Sequence, residues 1–387
     1  MRKNKIVLFA FMIIMIGLGI SDSSRGVFAS IFEGDLALTK PQVSLIVTIS
    51  YIGNLLFTLL GGKAADRYDR KKVFLYVLAM WTGAQILFAC TGSYICLLIG
   101  MFFSMGASTL LNTLMNLLSP IFFGTMAGMY VNILFFVQGI GTSGNQKITG
   151  SLASQYSDFR WLCAGLAVIG MIGFAALKFK EFPDNDKQIE NGLVQEATME
   201  KKAVLSYKNV LLLGVVFGCY FIAEHGIMNW WSMYCQQGLS MSGSQAATGV
   251  SLFFGTMTLG RLILSPMVQR WGSRKSILLL GGVGCIIYIL GVLAGAGGAW
   301  ILGISGMFIS IIYPTMVLFL QEVFPKTCAA TATGMVLSFG TLFDIAFNAG
   351  FGNMLEVFGF GICRIIFPIA MIMFYIGFVL SGRLKQK

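Results

Sequence analysis

Seven ionisable side chains interrupt stretches of the sequence that are otherwise almost entirely apolar. They are Asp22, Arg25, Lys147, Glu224, His225, Arg261 and Asp344. In such surroundings the carboxylates and the histidine can take up and release a proton, and the cations can hold an anion. A charge among apolar groups costs several kcal/mol unless it is paired or hydrated, so each position is a candidate functional site.

Four of these groups are candidates for proton coupling, namely Asp22, Glu224, His225 and Asp344. Asp22 and Arg25 are three residues apart, which places them on one face of a helix, where they can neutralise each other. That internal ion pair is the alternative to a role of Asp22 in a polar cavity. Glu224 and His225 diverge by about 100° around a helix, so they meet different neighbours. For the histidine, a plain hydrogen bond between helices is the alternative.

Amide and hydroxyl side chains recur at helical spacing in several of the apolar segments. They suit a polyhydroxylated solute, because each amide offers both donors and an acceptor. The alternative is that they join neighbouring helices to one another. Arg25 adds a cation and Trp231 adds an indole ring to these polar groups. The candidates for substrate binding are Arg25, Asn112, Asn116, Gln138, Thr142, Asn145, Asn229, Trp231 and Asn348.

Helices that cross a lipid bilayer must position these residues. The chain of 387 residues is 56% hydrophobic and has a mean hydropathy of +0.80. Apolar runs of about 20 residues follow one another, each long enough to cross a hydrocarbon core of about 30 Å. Backbone amides in lipid need partners within the protein, and the runs lack the alternation of barrel strands, so the spans are predicted to be helices.

The sequence predicts an all-α polytopic membrane protein with twelve spans. These are 6–30, 42–62, 73–91, 94–119, 126–149, 160–179, 209–234, 245–268, 276–296, 299–322, 329–354 and 361–381. One long polar interval separates two groups of six. The predicted domains are an N-terminal six-helix bundle (1–180), a cytoplasmic linker (181–207) and a C-terminal six-helix bundle (208–387).

The distribution of positive charge predicts the orientation of the chain. The net charge is +11. Lys and Arg cluster before the first span, after the second, around the linker and at the end of the chain. All these clusters fall on one side if both termini are cytoplasmic, as the positive-inside rule requires. We therefore expect a multi-pass protein of the cell membrane, with the lipid bilayer and not a nucleic acid as its partner.

A charged loop follows the second span and has a weaker copy in the second half. Residues 62–72 read GKAADRYDRKK. Residues 269–275 read QRWGSRK and align with residues 66–72 at an offset of 203. A shared loop after the second helix of each half indicates an internally repeated fold. Transporters use such repeats to build two bundles that rock about a site at the membrane midplane.

The first of these loops resembles the signature of the major facilitator superfamily, G-x-x-x-D-R-x-G-R-[RK]. The matching residues are Gly62, Asp66, Arg67, Arg70 and Lys71, and Asp69 stands where the family has a second glycine. The resemblance implies the fold of that family, with two pseudo-symmetric six-helix bundles.

The same resemblance implies a gate at the cytoplasmic ends of the helices. Asp66 can accept bonds from helix-end amides and Arg67 can donate charge-assisted bonds, which close the inner side in one state and break in the other. The alternative is that the basic residues only set the topology. Arg261 is expected to pair with Glu322 or with a helix-end carbonyl. The gating candidates are Gly62, Asp66, Arg67, Arg70, Arg261 and Arg270.

Short segments are also similar to the fucose–proton symporter group of this superfamily. They include GISDSSRGVFASIF at 19–32 and YFIAEHGIMNWWSMY at 220–234. This resemblance implies that Asp22 lines the cavity and that Gln138 lies near the sugar. Asn112 stands where the group has a glutamate that serves in proton coupling, so the coupling scheme differs here.

We therefore expect a secondary active transporter that moves a small polar solute, a sugar together with protons, by alternating access. Alternatives within the superfamily are an organic-anion carrier that uses Arg25 and Lys147, and a drug/proton antiporter. The sequence contains no metal-ligand cluster, nucleophile motif or nucleotide loop, so we expect no enzyme, no cofactor and no metal. We expect the protein to be a monomer.

Overall fold

A computed structural model of the protein describes residues 2–180, 207–325 and 328–382, without the side chains of 2–4, 62–67, 125, 127 and 330. Residues 181–206 of the predicted linker lie outside the described part. Of three predicted gating residues, Gly62, Asp66 and Arg67, only the backbone is described. The described backbone forms α-helices with short 3-10 and π segments.

The N-terminal half is built from seven helices. They are α1 (Arg2–Val27), α2 (Ala29–Asp35), α3 (Lys40–Arg67), α4 (Arg70–Cys90), α5 (Tyr94–Phe123), α6 (Ala127–Leu152) and α7 (Tyr156–Lys178). The short α2 lies at the end of the first predicted span, and the other six helices overlap the six predicted spans of this half.

The C-terminal half begins with α8 and ends with α13. Its helices are α8 (Tyr207–Met233), α9 (Gly243–Trp271), α10 (Ser273–Leu293), α11 (Gly295–Val323), α12 (Ala329–Cys363) and α13 (Ile366–Ser381). A kink interrupts α12 at Gly359, whose φ of 67° lies in the left-handed region that glycine adopts readily. Every predicted span of this half overlaps a helix, and α11 and α12 each reach into a second predicted span.

Length and composition allow most of these helices to cross a bilayer. Within the described residues, ten helices are long and apolar enough, and α13 is a shorter apolar helix of 16 residues. Apolar residues cover the helices nearly all round, which suits contact with lipid on one side and with other helices on the other. The predicted fold class, an all-helical polytopic membrane protein, is confirmed.

Contacts between helices divide the chain into two compact units. Among the described residues, the first consists of 2–145 and 152–180, and the second of 146–151, 207–325 and 328–382. In the first unit α3 and α4 pack on α5, and α1 and α4 pack on α7. In the second unit α9 and α10 pack on α11, and α8 and α10 pack on α13. Equivalent helices therefore pack together in each unit, which agrees with the internal repeat in the sequence.

Asp69, the departure from the family signature, begins α4 as its N-cap. Its carboxylate accepts hydrogen bonds from the backbone N–H groups of Lys71 at 2.7 Å and Lys72 at 3.2 Å. The equivalent turn of the second half has Gly272, with a φ of 79°. The two halves therefore begin the same helix differently, one with a side-chain cap and the other with a glycine in the left-handed region.

Replacing this cap should have a small and specific effect on stability. Asp69→Ala is expected to lower the free energy of unfolding by about 1 kcal/mol, because two helix N–H groups lose their acceptor. Asp69→Asn, which keeps a capping oxygen, should stay near the wild type. Thermal unfolding of the purified protein in detergent measures the difference, and equal midpoints for the two variants would contradict the capping role.

Candidate functional site

Asp22 on α1 is held by one hydrogen bond from α5. Ser108 Oγ donates to Asp22 Oδ2 at 2.8 Å. The other carboxylate oxygen, Oδ1, is buried and has no hydrogen-bond partner among the described residues. A buried carboxylate with only part of its hydrogen bonds is a costly charge, and a proton on Oδ1 removes that charge.

Arg25, one turn further along α1, directs its guanidinium to α3 and α5. Nη1 lies 3.2 Å from Ser50 Oγ and 3.0 Å from Met105 Sδ, and Nη2 lies 3.0 Å from the Tyr51 hydroxyl. The guanidinium also lies over the Tyr51 ring, 4.5 Å from its centroid. Only 3% of Arg25 is exposed. Asp22 and Arg25 therefore take different hydrogen-bond partners, although they share a helix face.

A small cavity adjoins Arg25 inside the first unit. It is lined by Ser21, Ser24, Arg25, Gln85, Phe88, Met101, Ser104, Met105, Phe159 and Cys163. Gln85 Nε2 donates to the hydroxyls of Ser21 at 3.0 Å and Ser104 at 2.9 Å, which fixes one polar wall. The cavity has room for about one water molecule, so in this conformation it does not admit a sugar.

The predicted polar residues of α6 contact α1. Asn145 Nδ2 donates to the Ser23 hydroxyl at 2.8 Å and to the Ile20 carbonyl at 3.1 Å. Thr142 Oγ1 lies 3.2 Å from the Gly19 carbonyl oxygen. These bonds join two helices, which is the alternative interpretation of the polar stripe. Asn145 Oδ1 is nevertheless buried without a donor within the described part of the chain, so the amide retains an unused acceptor.

The remaining substrate candidates of the first unit are distributed along α5 and α6. Asn112 Nδ2 donates to the Ser108 carbonyl at 3.1 Å, and its Oδ1 is buried with no donor in the described structure. Ser108 thus forms hydrogen bonds with both Asn112 and Asp22. These are two residues whose Oδ1 atoms have no donor among the described residues. Asn116 and Gln138 are half-buried. Lys147, which the organic-anion alternative requires, belongs to the second unit, where it is exposed and its Nζ donates to Thr248 Oγ1 at 2.6 Å.

In the second unit a chain of hydrogen bonds joins α8 and α12. His225 Nδ1 lies 2.5 Å from Asp344 Oδ2. Asn348 Nδ2 donates to Asp344 Oδ1 at 2.9 Å, and Trp230 Nε1 donates to Asn348 Oδ1 at 2.9 Å. All but His225 are almost completely buried. Both carboxylate oxygens of Asp344 therefore have partners, in contrast to Asp22.

Glu224 occupies different surroundings from its neighbour His225. It is buried and lies within electrostatic reach of the hydroxyls of Tyr220, Tyr288 and Tyr313. The two adjacent side chains thus separate as their angular offset predicts. Glu224 is a carboxylate within a group of tyrosines, and His225 belongs to the Asp344 network.

Two further candidates of α8 are fully packed. Asn229 is buried, and so is Trp231, whose ring lies 4.9 Å from that of Tyr234. The indole N–H of Trp231 has no acceptor among the residues that the structure describes. In this conformation Trp231 therefore offers an unused donor and not an open ring surface.

The gating candidates with described side chains are Arg70, Arg261 and Arg270. Arg261 and Arg270 are exposed. Arg261 Nη2 lies 3.7 Å from Met257 Sδ, whereas Glu322, its expected partner, accepts a hydrogen bond from Ser273 Oγ. The gate stays a prediction for these residues.

Sequence reasoning missed several partners of the charged groups. Ser50 and Tyr51 on α3 bind Arg25, and Trp230 on α8 binds Asn348. A signal was present in the first case, since a buried arginine needs acceptors and two adjacent hydroxyls interrupt an apolar helix. The pairing of Trp230 with Asn348 depends on which faces of two helices meet, and the sequence contains no comparable signal for it.

Comparison with known proteins decides the family. The model of the Major Facilitator Superfamily matches residues 7–348. The chain belongs to the major facilitator superfamily. It is therefore a multi-pass membrane transporter and not an enzyme, and the resemblance in the loop after the second span is confirmed at this level.

Two curated relatives share parts of the sequence. A hexuronate transporter of Bacillus subtilis (strain 168) is 25% identical over 287 residues, which cover 71% of this chain and 67% of that protein. Protein TsgA of Escherichia coli O1:K1 / APEC is 26% identical over 196 residues, or 50% of this chain. The chain spans about half of TsgA, 48% of its length.

Solved structures of transporters share the fold along nearly the whole chain. The nucleoside transporter NupG has a TM-score of 0.78 at 12% identity and covers 97% of this chain and 99% of its own. A D-xylose-proton symporter has a TM-score of 0.72 at 13% identity, with 96% of both chains covered. At such low identity these neighbours show the fold alone.

Proposed function

We propose that this member of the superfamily carries a sugar acid of the hexuronate class across the cell membrane together with protons, by alternating access. The observation that carries the proposal lies on α1. There a carboxylate with an unused oxygen, Asp22, stands one turn from a buried guanidinium, Arg25. Both termini lie in the cytoplasm in this proposal, as the positive charge distribution favours.

The solute class follows from Arg25 and from the hexuronate transporter that aligns with 71% of this chain. A hexuronate offers hydroxyls to the amides of α5 and α6 and a carboxylate to an arginine. The present acceptors of Arg25 include two hydroxyls and a thioether. A solute carboxylate binds a guanidinium more strongly, through two parallel charge-assisted bonds, so it can displace them. The proposal unites the sugar and the organic anion that the sequence left as alternatives.

Asp22 is the proposed proton carrier. Its Oδ2 keeps the bond from Ser108 while its Oδ1 is left without a donor. A proton on Oδ1 neutralises a carboxylate inside the first unit, just as the solute neutralises Arg25. Loading both together keeps the net charge at zero and replaces the Asp22 carboxylate by a solute carboxylate bound to the guanidinium. A ligand shifts a conformational equilibrium when it changes the relative energies of the two states. Glu224 is the second candidate for this role.

Uptake into proteoliposomes with an imposed pH gradient tests the function. The panel contains galacturonate and glucuronate, the neutral sugars galactose, glucose and fucose, and the nucleoside uridine. We expect the hexuronates to accumulate at least about tenfold more than any neutral solute, because only they engage the guanidinium. Accumulation of a neutral sugar to the same level contradicts the solute class, and accumulation of none of the solutes contradicts the function.

Replacing Arg25 should weaken hexuronate binding selectively. Arg25→Lys keeps the charge but loses the bidentate geometry, and we expect it to raise the KM for hexuronate by about tenfold, equivalent to about 1.4 kcal/mol. The matched control is Lys178→Gln, which removes an exposed cation of the same unit and should leave KM unchanged. Initial rates of labelled hexuronate uptake give both values. An unchanged KM in Arg25→Lys, with the variant folded, contradicts a role for this residue in solute binding.

A further inference from the structure

His225 is the single histidine of the sequence, and its ring contacts a carboxylate and a phenylalanine. Nδ1 lies 2.5 Å from Asp344 Oδ2, and the ring stacks on Phe221 with centroids 5.2 Å apart and an interplanar angle of 14°. The histidine side chain is 23% exposed, whereas that of Asp344 is 1% exposed. The imidazole is therefore the more accessible member of the pair.

Asn348 and Trp230 fix the other side of Asp344. Asn348 donates to Asp344 through Nδ2 and accepts from Trp230 through Oδ1. Exchanging the amide nitrogen and oxygen would break both bonds, so the amide orientation is determined by the network. Asp344 then receives a donor on Oδ1. With Oδ1 accepting from Asn348, a proton on Nδ1 of the imidazole gives Oδ2 a donor as well.

We propose that His225 and Asp344 form a proton-binding site in the second unit. Nδ1 keeps its proton directed at Asp344, and Nε2 is the atom that takes up and releases a proton. Asn348 and Trp230 are positioning residues, since they act on the imidazole through Asp344. The inference rests on the proposed function as a proton-coupled transporter and gives it a second site besides Asp22.

The protonation step changes the net charge of the pair. A proton from water adds to the lone pair of Nε2, the imidazole becomes an imidazolium, and the net charge of the pair changes from −1 to zero. A buried carboxylate next to a cation is far less costly than one next to a neutral ring. A change of this kind in a packed element can bias two conformations of a protein.

Other titratable groups of the second unit must be distinguished from this pair. They are Tyr220, Glu224, Arg261, Tyr288 and Tyr313, which interact electrostatically with one another within the second unit. A signal specific to histidine distinguishes the imidazole from all of them. The composition of the chain provides that signal, because it contains one histidine.

Solid-state NMR of the full-length protein tests the site directly. The chain is labelled with 15N-histidine, purified with an affinity tag free of histidine and reconstituted in liposomes, so that each spectrum reports His225 alone. Over a titration from about pH 5 to about pH 9, the window in which imidazoles change charge, we expect two results. Nδ1 keeps the shift of a protonated nitrogen throughout, and Nε2 changes from an unprotonated to a protonated nitrogen as the pH falls.

Two outcomes overturn the proposal. If Nδ1 loses its proton as the pH rises, the imidazole is not oriented by Asp344. If neither nitrogen changes over the range, the bond is a structural contact that exchanges no proton. The titration needs no solute, so it can fail while hexuronate transport is intact, and it can succeed if the solute class is wrong.

A pair of variants tests the positioning role. Asn348→Leu removes the donor to Asp344 Oδ1, and we expect it to move the titration midpoint of His225 by at least about half a pH unit, a shift typical of a changed neighbouring charge or hydrogen bond. The control is Asn353→Leu, an exposed position on the same helix, where the midpoint should stay at the wild-type value. Equal titration midpoints of His225 in the two variants would contradict the positioning role of Asn348.

Discussion

Asp22→Asn is expected to abolish uphill accumulation of the solute while exchange of solute across the membrane continues. Asparagine can still accept the hydrogen bond from Ser108, but it cannot gain and lose a proton at the position of Oδ1. A gradient of about one pH unit supports roughly tenfold accumulation for each coupled proton, since a tenfold ratio corresponds to about 1.4 kcal/mol. In the variant we expect the ratio to fall to about one.

Two assays on the same proteoliposomes separate coupling from binding. Gradient-driven uptake measures accumulation, and counterflow of labelled solute measures exchange. The control is Glu356→Gln, which removes an exposed carboxylate of α12 and should leave both unchanged. Accumulation that persists in Asp22→Asn shows that the coupling carboxylate lies elsewhere, and Glu224 is then the next candidate.

Gly19→Ala is expected to destabilise the protein strongly for so small a change. An added Cβ at Gly19 would lie 2.2 Å from the Gln138 carbonyl oxygen and 3.0 Å from the Thr142 nitrogen. Both are backbone atoms, so no side chain can rotate away. Overpacking of this kind costs about 1–3 kcal/mol, and the separation of α1 from α6 would also displace Asp22. Small residues allow such close approach of membrane helices.

Gly144→Ala provides a matched control on α6. An added Cβ there meets nothing within 4 Å, and alanine is the better helix former by about 1 kcal/mol. Thermal unfolding in detergent should therefore show a lower midpoint for Gly19→Ala and an equal or higher one for Gly144→Ala. Equal midpoints in the two variants would mean that α1 and α6 do not approach as described.

The helices themselves could be predicted because the bilayer sets their length. Every predicted span overlaps a helix, since an apolar run of about 20 residues has few other stable arrangements in lipid. The predicted and observed helix ends differ at the first and last spans. The first predicted span ends in a separate short helix, Ala29–Asp35, and the last helix begins at Ile366 because α12 continues past the kink at Gly359 to Cys363.

The contacts of the site were only partly predictable. Helical spacing places Asp344 and Asn348 four residues apart on one face, and the structure joins them by a hydrogen bond. The approach of His225 to Asp344 depends on how each helix is rotated about its own axis. The sequence of a helix that is apolar nearly all round carries little information about that rotation. Such pairings between helices therefore could not be predicted from the sequence.

The central claim is that solute and proton move together, and the proton can be observed directly. Proteoliposomes with a trapped pH indicator and no initial gradient receive galacturonate outside, and the internal pH is followed as the solute enters. The account predicts that the interior acidifies with solute entry, and that neither Asp22→Asn proteoliposomes nor empty liposomes do so. Entry of labelled galacturonate into wild-type proteoliposomes at constant internal pH would contradict it.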